Sequence, residues 1–368
     1  MIIGSHVIVQ DTTIIKYTME DYALYLLKMT KDYIKHDCSN KTIYFWNEEE
    51  SLWMSRDIEN IRTYITKILI PYANTNPDHY IATKHYHMLK QNSKQMVILR
   101  ICKPYIKSQC DDEFIRTYFN RKKGFLPIAD NKVINLQTGE IRVRVREDYF
   151  TKTTTSCITQ LTTERREFVL NYFSQILTKY NESKASDKYR DSLMFFIAYI
   201  FTNENHLKII GHIFGSMDVG RTVFITLLRN MLGGLGGGSV SRLFVGKKTD
   251  EWFYNLRGKH MVCMYPIPKK KYNEDQILKI SGGIIRDKNT IFSCVLVLET
   301  DNVYEFSDPE LIKRLRCFNF CNLFQRDDSV KKDILSRVDD FFTVICEYAK
   351  IFYENDRKIN WSDEVKTY

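Results

Sequence analysis

Eight residues near the middle of the sequence have the types and spacing of a phosphate-binding loop. Gly215 and Gly220 bound the loop, and Arg221 and Thr222 follow it. In the G-x-x-x-x-G-K-[ST] pattern, backbone N–H groups converge on phosphate oxygens, a lysine reaches the β- and γ-phosphates, and Ser or Thr holds Mg²⁺. These residues therefore predict a nucleotide-binding site, for which ATP and Mg²⁺ are the expected cofactors.

The same loop departs from the pattern at positions that matter for phosphate binding. Arg221 stands where lysine is expected, and a planar guanidinium does not replace a compact ammonium group. Asp218 adds a negative charge close to where phosphates would lie. Both changes predict weakened or lost nucleotide binding.

A second part of such a site, an acid at the end of a neighbouring strand, is missing from the sequence. The apolar run 261–264 predicts a buried strand, but Tyr265 and Pro266 follow it. Glu274 and Asp275 are the nearest acids. A carboxylate at this place holds Mg²⁺ and orients water, so its loss predicts impaired hydrolysis.

Three arginines alternate with apolar residues in a segment that predicts a β-strand. Alternation places Ile141, Val143 and Val145 on the core side, and the arginines on the other face. These arginines are Arg142, Arg144 and Arg146. They fit either a basic stripe for nucleic-acid phosphates or an edge strand protected by charge.

Helices and strands of an α/β fold must position these groups. Short apolar runs at 207–213, 261–264 and 293–298 predict buried parallel strands, and 223–232 predicts the helix after the loop. Residues 233–238 are glycine-rich and predict a flexible loop. Amphipathic patterns predict a helix capped by Thr163 and further helices that begin at Tyr189 and near Val330. We expect the last one to pack on the core, with a partner interface as the alternative.

The first third of the chain predicts a mixed α+β region. A helix is expected over 22–33, a strand pair at 42–46 and 52–54, and a helix from Asp57 that ends at Pro71. His85 and His87 are expected on the surface of a further helix. We predict four parts in the whole chain: 1–160, a helical bridge at 161–204, the loop-bearing domain at 205–325, and a C-terminal helical segment at 326–368.

Composition fits a folded protein that meets a polyanion. The chain has 368 residues, 44% of them hydrophobic, and a formal net charge of +9. Its nine cysteines include no C-x-x-C pair, which argues against a zinc site and predicts an intracellular location. No signal peptide and no membrane span are expected.

The order of these features resembles the superfamily III helicases of the poxvirus-type primase–helicase family, which are AAA+ ATPases. The likeness covers most of the chain and corresponds to the helicase half of such a protein. The segments that carry it are Phe45-Trp46 with Leu52-Trp53, the hairpin from Phe125 to Cys157, the loop Gly215–Thr222, the runs 256–264 and 311–320, and Ile280-Ser281-Gly282-Gly283.

The resemblance implies an AAA+-like P-loop core with a parallel sheet, preceded by a helicase-associated α+β domain and followed by a C-terminal helix. It implies that Arg314 is an arginine finger and that Arg286 and Lys288 contact DNA from a hairpin tip. Ile284 stands where the family has aspartate, and Glu299 where it has asparagine. The family's loop also has small or polar residues where this chain has Met217 and Val219.

These observations favour a viral helicase-like replication protein that is impaired in ATP hydrolysis and acts as a nucleic-acid-binding or scaffold subunit. An active ATP-dependent 3′–5′ helicase is the first alternative, and a structural protein that binds no nucleic acid is the second. The expected partners are single-stranded or duplex DNA, replication proteins and further copies of the chain, up to a hexamer. A viral protein of this kind would lie in the host cytoplasm or nucleus.

Overall fold

The computed structural model describes residues 17–76, 78–179, 182, 184–237, 256–265, 272–282, 284–285, 290–291, 294–325 and 327–365. The chain divides after Tyr118 into two compact units. None of the described helices is long and apolar enough to cross a lipid bilayer.

The first unit combines a small antiparallel sheet with a set of helices. Its elements are α1 (Met19–Thr30), β1 (Ile34–Asp37), β2 (Thr42–Asn47), β3 (Leu52–Ser55), α2 (Ile61–Tyr64), a π-helical turn (Ile65–Leu69), α3 (Ile70–Asn74), α4 (His79–Lys90), α5 (Asn92–Ser108) and α6 (Asp112–Tyr118). The sheet order is β1-β2-β3. The predicted strand pair is confirmed as β2 and β3, whereas β1 was not predicted.

Two local predictions for this unit are wrong. Pro71 does not end the helical segment, because it lies in the first turn of α3, directly after the π-helical turn. His87 is exposed on α4 as predicted, whereas His85 is half-buried. Its Nδ1 lies 2.5 Å from the hydroxyl of buried Tyr22, and burial lowers the pKa of His85.

The second unit contains the predicted parallel sheet. Its strands are β7 (Ile210–Phe214), β8 (Gly236–Gly237), β9 (Met261–Met264), β12 (Val295–Thr300) and β13 (Leu315–Asn319), in the order β13-β7-β12-β9-β8. All the neighbouring strands are parallel. The fold is therefore mixed α/β with a five-stranded parallel sheet, which is compatible with a P-loop-like core.

The two outer strands of this sheet were not predicted. The glycine-rich stretch expected to be a loop supplies β8, and the segment expected to carry an arginine finger supplies β13. Gly237 lies so close to β9 that an added Cβ would be 2.7 Å from the carbonyl oxygen of Met261. Glycine therefore marks a close approach of two strands here.

Helices pack around the sheet and complete the unit. They are α7 (Thr163–Leu177), α8 (Asp187–Phe201), α9 (Arg221–Leu232), α10 (Glu274–Ser281), α11 (Pro309–Arg314), α12 (Asp328–Ser336) and α13 (Val338–Glu354). Helix α7 is capped by Thr162 rather than by the predicted Thr163. The predicted C-terminal helix is interrupted at Arg337, and α13 is buried in the main core, as expected.

A three-stranded antiparallel sheet precedes these helices, formed by β4 (Phe125–Ile128), β5 (Lys132–Asn135) and β6 (Ile141–Val143). Leu126 and Ile134 belong to the same hydrophobic cluster as α8 and α13. A short β-ribbon also pairs β10 (Ile284–Ile285) with β11 (Thr290–Ile291).

The predicted faces of the arginine-rich segment are inverted. Ile141, Val143 and Val145 are 41%, 62% and 46% exposed. Arg144 is only 3% exposed, because its guanidinium donates to the Ile128 carbonyl oxygen and to the Thr153 hydroxyl. Side chains do alternate between the two faces of this segment. The face that carries the arginines is the more buried one, because hydrogen-bond acceptors within the protein bind them.

Candidate nucleotide-loop site

The backbone of the loop requires glycine at both of its boundaries. Gly215 follows β7, and a Cβ added there would lie 2.2 Å from the carbonyl oxygen of Phe320. Gly220 has φ +82° and is the N-cap residue of α9. Because a residue with a side chain is strained at this φ, the second glycine permits the turn into the helix. The loop thus reaches the N-terminus of α9, where backbone N–H groups favour anions.

The segment after β13 closes one side of the loop. Its Phe320 N–H donates to the Phe214 carbonyl at 2.8 Å, and its Phe324 N–H donates to the Asp218 carbonyl at 3.0 Å. Val219 points into the main core and is 1% exposed. Met217 lies at the opposite extreme, at 76% exposure. The two residues that depart from small or polar types thus have unlike surroundings.

Arg221 does not extend away from the protein. Its guanidinium donates to the carbonyl oxygen of Thr300 and to the Asp301 carboxylate, and it lies 3.9 Å from the Glu299 carboxylate. All three partners come from the end of β12, the strand beside the loop strand. We call Arg221, Glu299 and Asp301 the arginine clamp. Arg221, which stands where the phosphate-binding motif has lysine, is therefore paired with acids of its own chain.

The two acids of the arginine clamp differ in exposure. The side chain of Glu299 is 12% exposed, as is that of Arg221, whereas that of Asp301 is 72% exposed. Burial raises the pKa of Glu299, although the positive charge of Arg221 opposes the shift. Burial is thus the larger effect on the pKa of Glu299. The clamp is buried at Glu299 and Arg221 and open to solvent at Asp301.

His212 lies in the centre of the sheet and connects three strands. Its Nε2 is 2.8 Å from the Thr300 hydroxyl on β12, and its Nδ1 is 3.6 Å from the Cys317 sulfur on β13. Burial lowers the pKa of His212 to about 4, so the imidazole is neutral at pH 7. No sequence pattern predicts this contact, because only the sheet order brings these residues together.

The groups that would hold Mg²⁺ are incomplete among the described residues. Thr222 is exposed in the first turn of α9, as the motif predicts. Strand β9 and Tyr265 bring no carboxylate. Glu274 binds another part of the chain, because its carboxylate accepts hydrogen bonds from the backbone N–H groups of Ser307, at 2.9 Å, and Asp308, at 2.7 Å.

Arg314, the predicted arginine finger, lies at the end of α11. Its Nη1 donates to the Leu278 carbonyl at 3.0 Å and to the Ser281 hydroxyl at 2.8 Å. These groups form the last turn of α10, where a cation is favoured by the helix dipole. In this conformation Arg314 caps a helix of its own chain.

The predicted nucleic-acid contacts have two different outcomes. Arg286 and Lys288 lie outside the described residues. Arg142 binds the buried carboxylate of Asp148 through two nitrogens, at 2.8 and 2.6 Å, and Arg146 pairs with Glu147 at 2.9 Å. The hairpin arginines are therefore held by protein acceptors, and their role in nucleic-acid binding stays a prediction.

Comparisons with known proteins bear on the fold. No protein-family model matches the sequence, and no curated protein matches it. The apo structure of the NrS-1 C-terminal region (305–718) matches with a TM-score of 0.50 and 11% identity, over 92% of this chain and 72% of that chain. An A-form apo structure of the same region gives a TM-score of 0.49 and 12% identity, over 93% and 72%. The chain thus shares its fold with the NrS-1 C-terminal region.

Proposed function

We propose that this chain is a viral helicase-like replication protein with an AAA+-type core that is impaired in ATP hydrolysis, and that it serves as a nucleic-acid-binding or scaffold subunit. The observation that carries the proposal is the arginine clamp. Phosphoryl transfer depends on a cation that contacts the β- and γ-phosphates and on a carboxylate that holds the metal. Here the cation is bound to Glu299, Thr300 and Asp301, and the acid after β9 is missing.

The sheet supports the choice of a nucleotide-type core. In open parallel sheets, ligands bind outside the carboxyl ends of the strands, where neighbouring connections leave in opposite directions. The loop lies at this edge, on a strand whose two neighbours, β12 and β13, both come later in the chain. The site therefore has the backbone of a phosphate site but not its charged side chains.

One observation favours the alternative of an active ATPase. Glu299 places a carboxylate at the edge of the sheet beside the loop, and this acid was not recognised as a candidate from the sequence. A nucleotide that drew Arg221 away from Glu299 would free both groups, with Glu299 then available to a metal or a water. This alternative requires the arginine clamp to open.

The role in nucleic-acid binding rests on the net charge of +9 and on the family resemblance. Phosphate contacts release counterions, so binding of single-stranded DNA should weaken steeply as salt rises. Fluorescence anisotropy of a labelled oligonucleotide at low and moderate salt measures this slope. No binding at low salt would favour a structural protein instead.

Hydrolysis is tested in the same samples. We expect phosphate release with ATP, Mg²⁺ and single-stranded DNA to stay at the background of a protein-free reaction. Turnover that disappears in Arg221→Ala, but persists in the surface control Lys313→Ala, would overturn the impaired-hydrolysis proposal. The control suits the purpose because the side chain of Lys313 is 72% exposed and pairs with Glu310 of its own helix.

A further inference from the structure

The first unit brings together three metal-ligating side chains from segments that are distant in sequence. The sulfur atoms of Cys38 and Cys110 and a carboxylate oxygen of Asp112 all lie within 4.8 Å of one another. Cys38 follows β1, whereas Cys110 and Asp112 lie in the connection from α5 and at the start of α6. We call these three residues the cysteine–aspartate cluster.

Hydrogen bonds hold the two segments in place before any metal is considered. The Asp112 carboxylate accepts from the backbone N–H of Cys38 at 2.6 Å and from that of Ser39 at 3.2 Å. The neighbouring Asp111 accepts from the backbone N–H of His36 at 2.9 Å. The backbone on both sides of the cluster is therefore fixed, and only small side-chain rotations remain to be made.

The chemistry of these three groups selects the ion. Two thiolates and one carboxylate suit Zn²⁺, which binds sulfur at about 2.3 Å and carboxylate oxygen at about 2.0–2.2 Å in tetrahedral sites. Such bond lengths put neighbouring ligand atoms about 3.6–3.8 Å apart. The cluster needs to contract by about 1 Å at most to reach that geometry. A hard cation such as Mg²⁺ would instead prefer oxygen ligands throughout.

We propose that Cys38, Cys110 and Asp112 bind one Zn²⁺ ion, with water in the fourth position. Binding replaces the two thiol protons, which are released to solvent, so no oxidant or reductant takes part. His36 supports the site from beside it: its Nδ1 lies 3.3 Å from the Cys38 sulfur and 2.9 Å from the Gln109 carbonyl oxygen. The ion would cross-link β1 to α6 and stabilise the first unit.

The prediction of no zinc site rested on the lack of a C-x-x-C pair of cysteines. In this cluster Cys38 and Asp112 are 74 positions apart, and only the fold brings them together. No C-x-x-C pattern is needed when two chain segments each supply part of the ligand set. The inference is independent of the nucleotide-loop site, which lies in the second unit.

The test uses the full chain, reduced and stripped of metal with a chelator. Zn²⁺ is titrated against a chromophoric competitor, and Co²⁺ is added separately to detect thiolate-to-metal absorption. We expect one equivalent of Zn²⁺ to bind, and binding to weaken about tenfold or more in Cys110→Ser and in Asp112→Asn. Cys321→Ser, which changes a half-buried thiol of the second unit, is the matched control and should bind Zn²⁺ as the unaltered chain does.

Three results would overturn the proposal. The first is no stoichiometric Zn²⁺ binding, and the second is equal affinity in Cys110→Ser and in the control. The third is a Cys38–Cys110 disulfide that forms in the stripped protein and persists in the presence of Zn²⁺ under reducing conditions. Cys110 is exposed, so its serine variant should keep the fold, and a thermal unfolding midpoint equal to that of the unaltered metal-free chain separates loss of thiolate ligation from unfolding.

Discussion

The hairpin and the loop of the second unit both bind arginine side chains internally, but in different ways. In the hairpin, Arg142 binds Asp148, whose side chain is 1% exposed. In the loop, Arg221 binds Asp301, whose side chain is 72% exposed. In the hairpin the acid is buried and the Arg142 side chain is 35% exposed, whereas in the arginine clamp the Arg221 side chain is only 12% exposed and the acid is open to solvent. The two pairs thus bury opposite partners, the acid in the hairpin and the arginine in the clamp.

The largest effect should follow from removing the buried acid of the hairpin. Asp148→Asn leaves Arg142 and Lys122 without their shared carboxylate, and because these two cations are 35% and 37% exposed and regain solvent, the loss is roughly 2–3 kcal/mol. Urea unfolding measures the loss. Glu147→Gln, which changes an acid that is 58% exposed, should cost less than about 1 kcal/mol. Equal losses in the two variants would show that burial of the acid does not strengthen its pairing with arginine.

The second effect is the pH dependence of stability that arises from His212, which contacts Thr300 next to the arginine clamp. His212 has a pKa of about 4 when folded against an ordinary value of 6.5. The unfolded chain therefore binds the proton more readily, and stability is lost as pH falls from about 6.5 towards 4. This difference amounts to about 3 kcal/mol. His260, whose pKa burial also lowers to about 4, adds a similar slope.

The variant His212→Asn should flatten this acid slope by up to about half, because it removes one of the two histidines whose pKa burial lowers to about 4. Free energies of unfolding at a series of pH values between about 7 and 4 provide the measurement. An unchanged slope would mean that His212 is not held neutral beneath the clamp.

A smaller effect is expected within the clamp itself. Arg221→Ala removes the donor to the Thr300 carbonyl and leaves Glu299 without its cation, at a cost of roughly 1–3 kcal/mol. Glu299→Gln should have the opposite effect at neutral pH. The pKa of Glu299 is raised by folding, so its ionisation destabilises the fold as pH rises through the window above the ordinary glutamate value.

Thermal unfolding of both clamp variants at pH 7 compares them directly. Arg221→Ala should lower the midpoint, and Glu299→Gln should leave it unchanged or raise it. A large loss in Glu299→Gln would mean that the Arg221–Glu299 pair stabilises the fold more than the burial of its carboxylate costs.

The smallest effect is expected at a fully surface pair. Lys313→Ala removes the contact with Glu310, in which both side chains are more than half exposed, and should change stability by about 0–1 kcal/mol. Thermal unfolding again provides the measurement. A loss as large as that of Arg221→Ala would show that the clamp is no stronger than an ordinary surface ion pair.

The sequence predicted the helices and strands of the second unit better than the hydrogen-bond partners of its polar side chains. Strand β9 was predicted at its observed bounds, and the order of strand, loop and helix around Gly215 and Gly220 was correct, because apolar runs and glycines depend on local backbone requirements. Strands β8 and β13 were missed. Gly236 and Gly237 have the composition of a loop, and they pair only because β9 approaches closely.

Side-chain partners depend on the sheet order, which a single sequence does not contain. Arg221 meets Glu299 because β12 lies next to β7, and His212 meets Cys317 because β13 lies on its other side. The arginine face of the hairpin was assigned wrongly for the same reason, since Asp148 and the Ile128 carbonyl offered acceptors that alternation alone does not reveal. The boundaries between the four predicted parts of the chain stay predictions.

The binding of ATP with Mg²⁺ to the unaltered chain and to Arg221→Ala tests the central claim most directly. Thermal shift provides the readout, since a ligand that binds the folded state raises the unfolding midpoint. If Arg221 is committed to Glu299 and Asp301, ATP should produce the same small or absent shift in both proteins, each compared with its own nucleotide-free midpoint. A clear ATP-dependent rise in the unaltered chain that is lost in Arg221→Ala would contradict the account, because Arg221 would then bind phosphate.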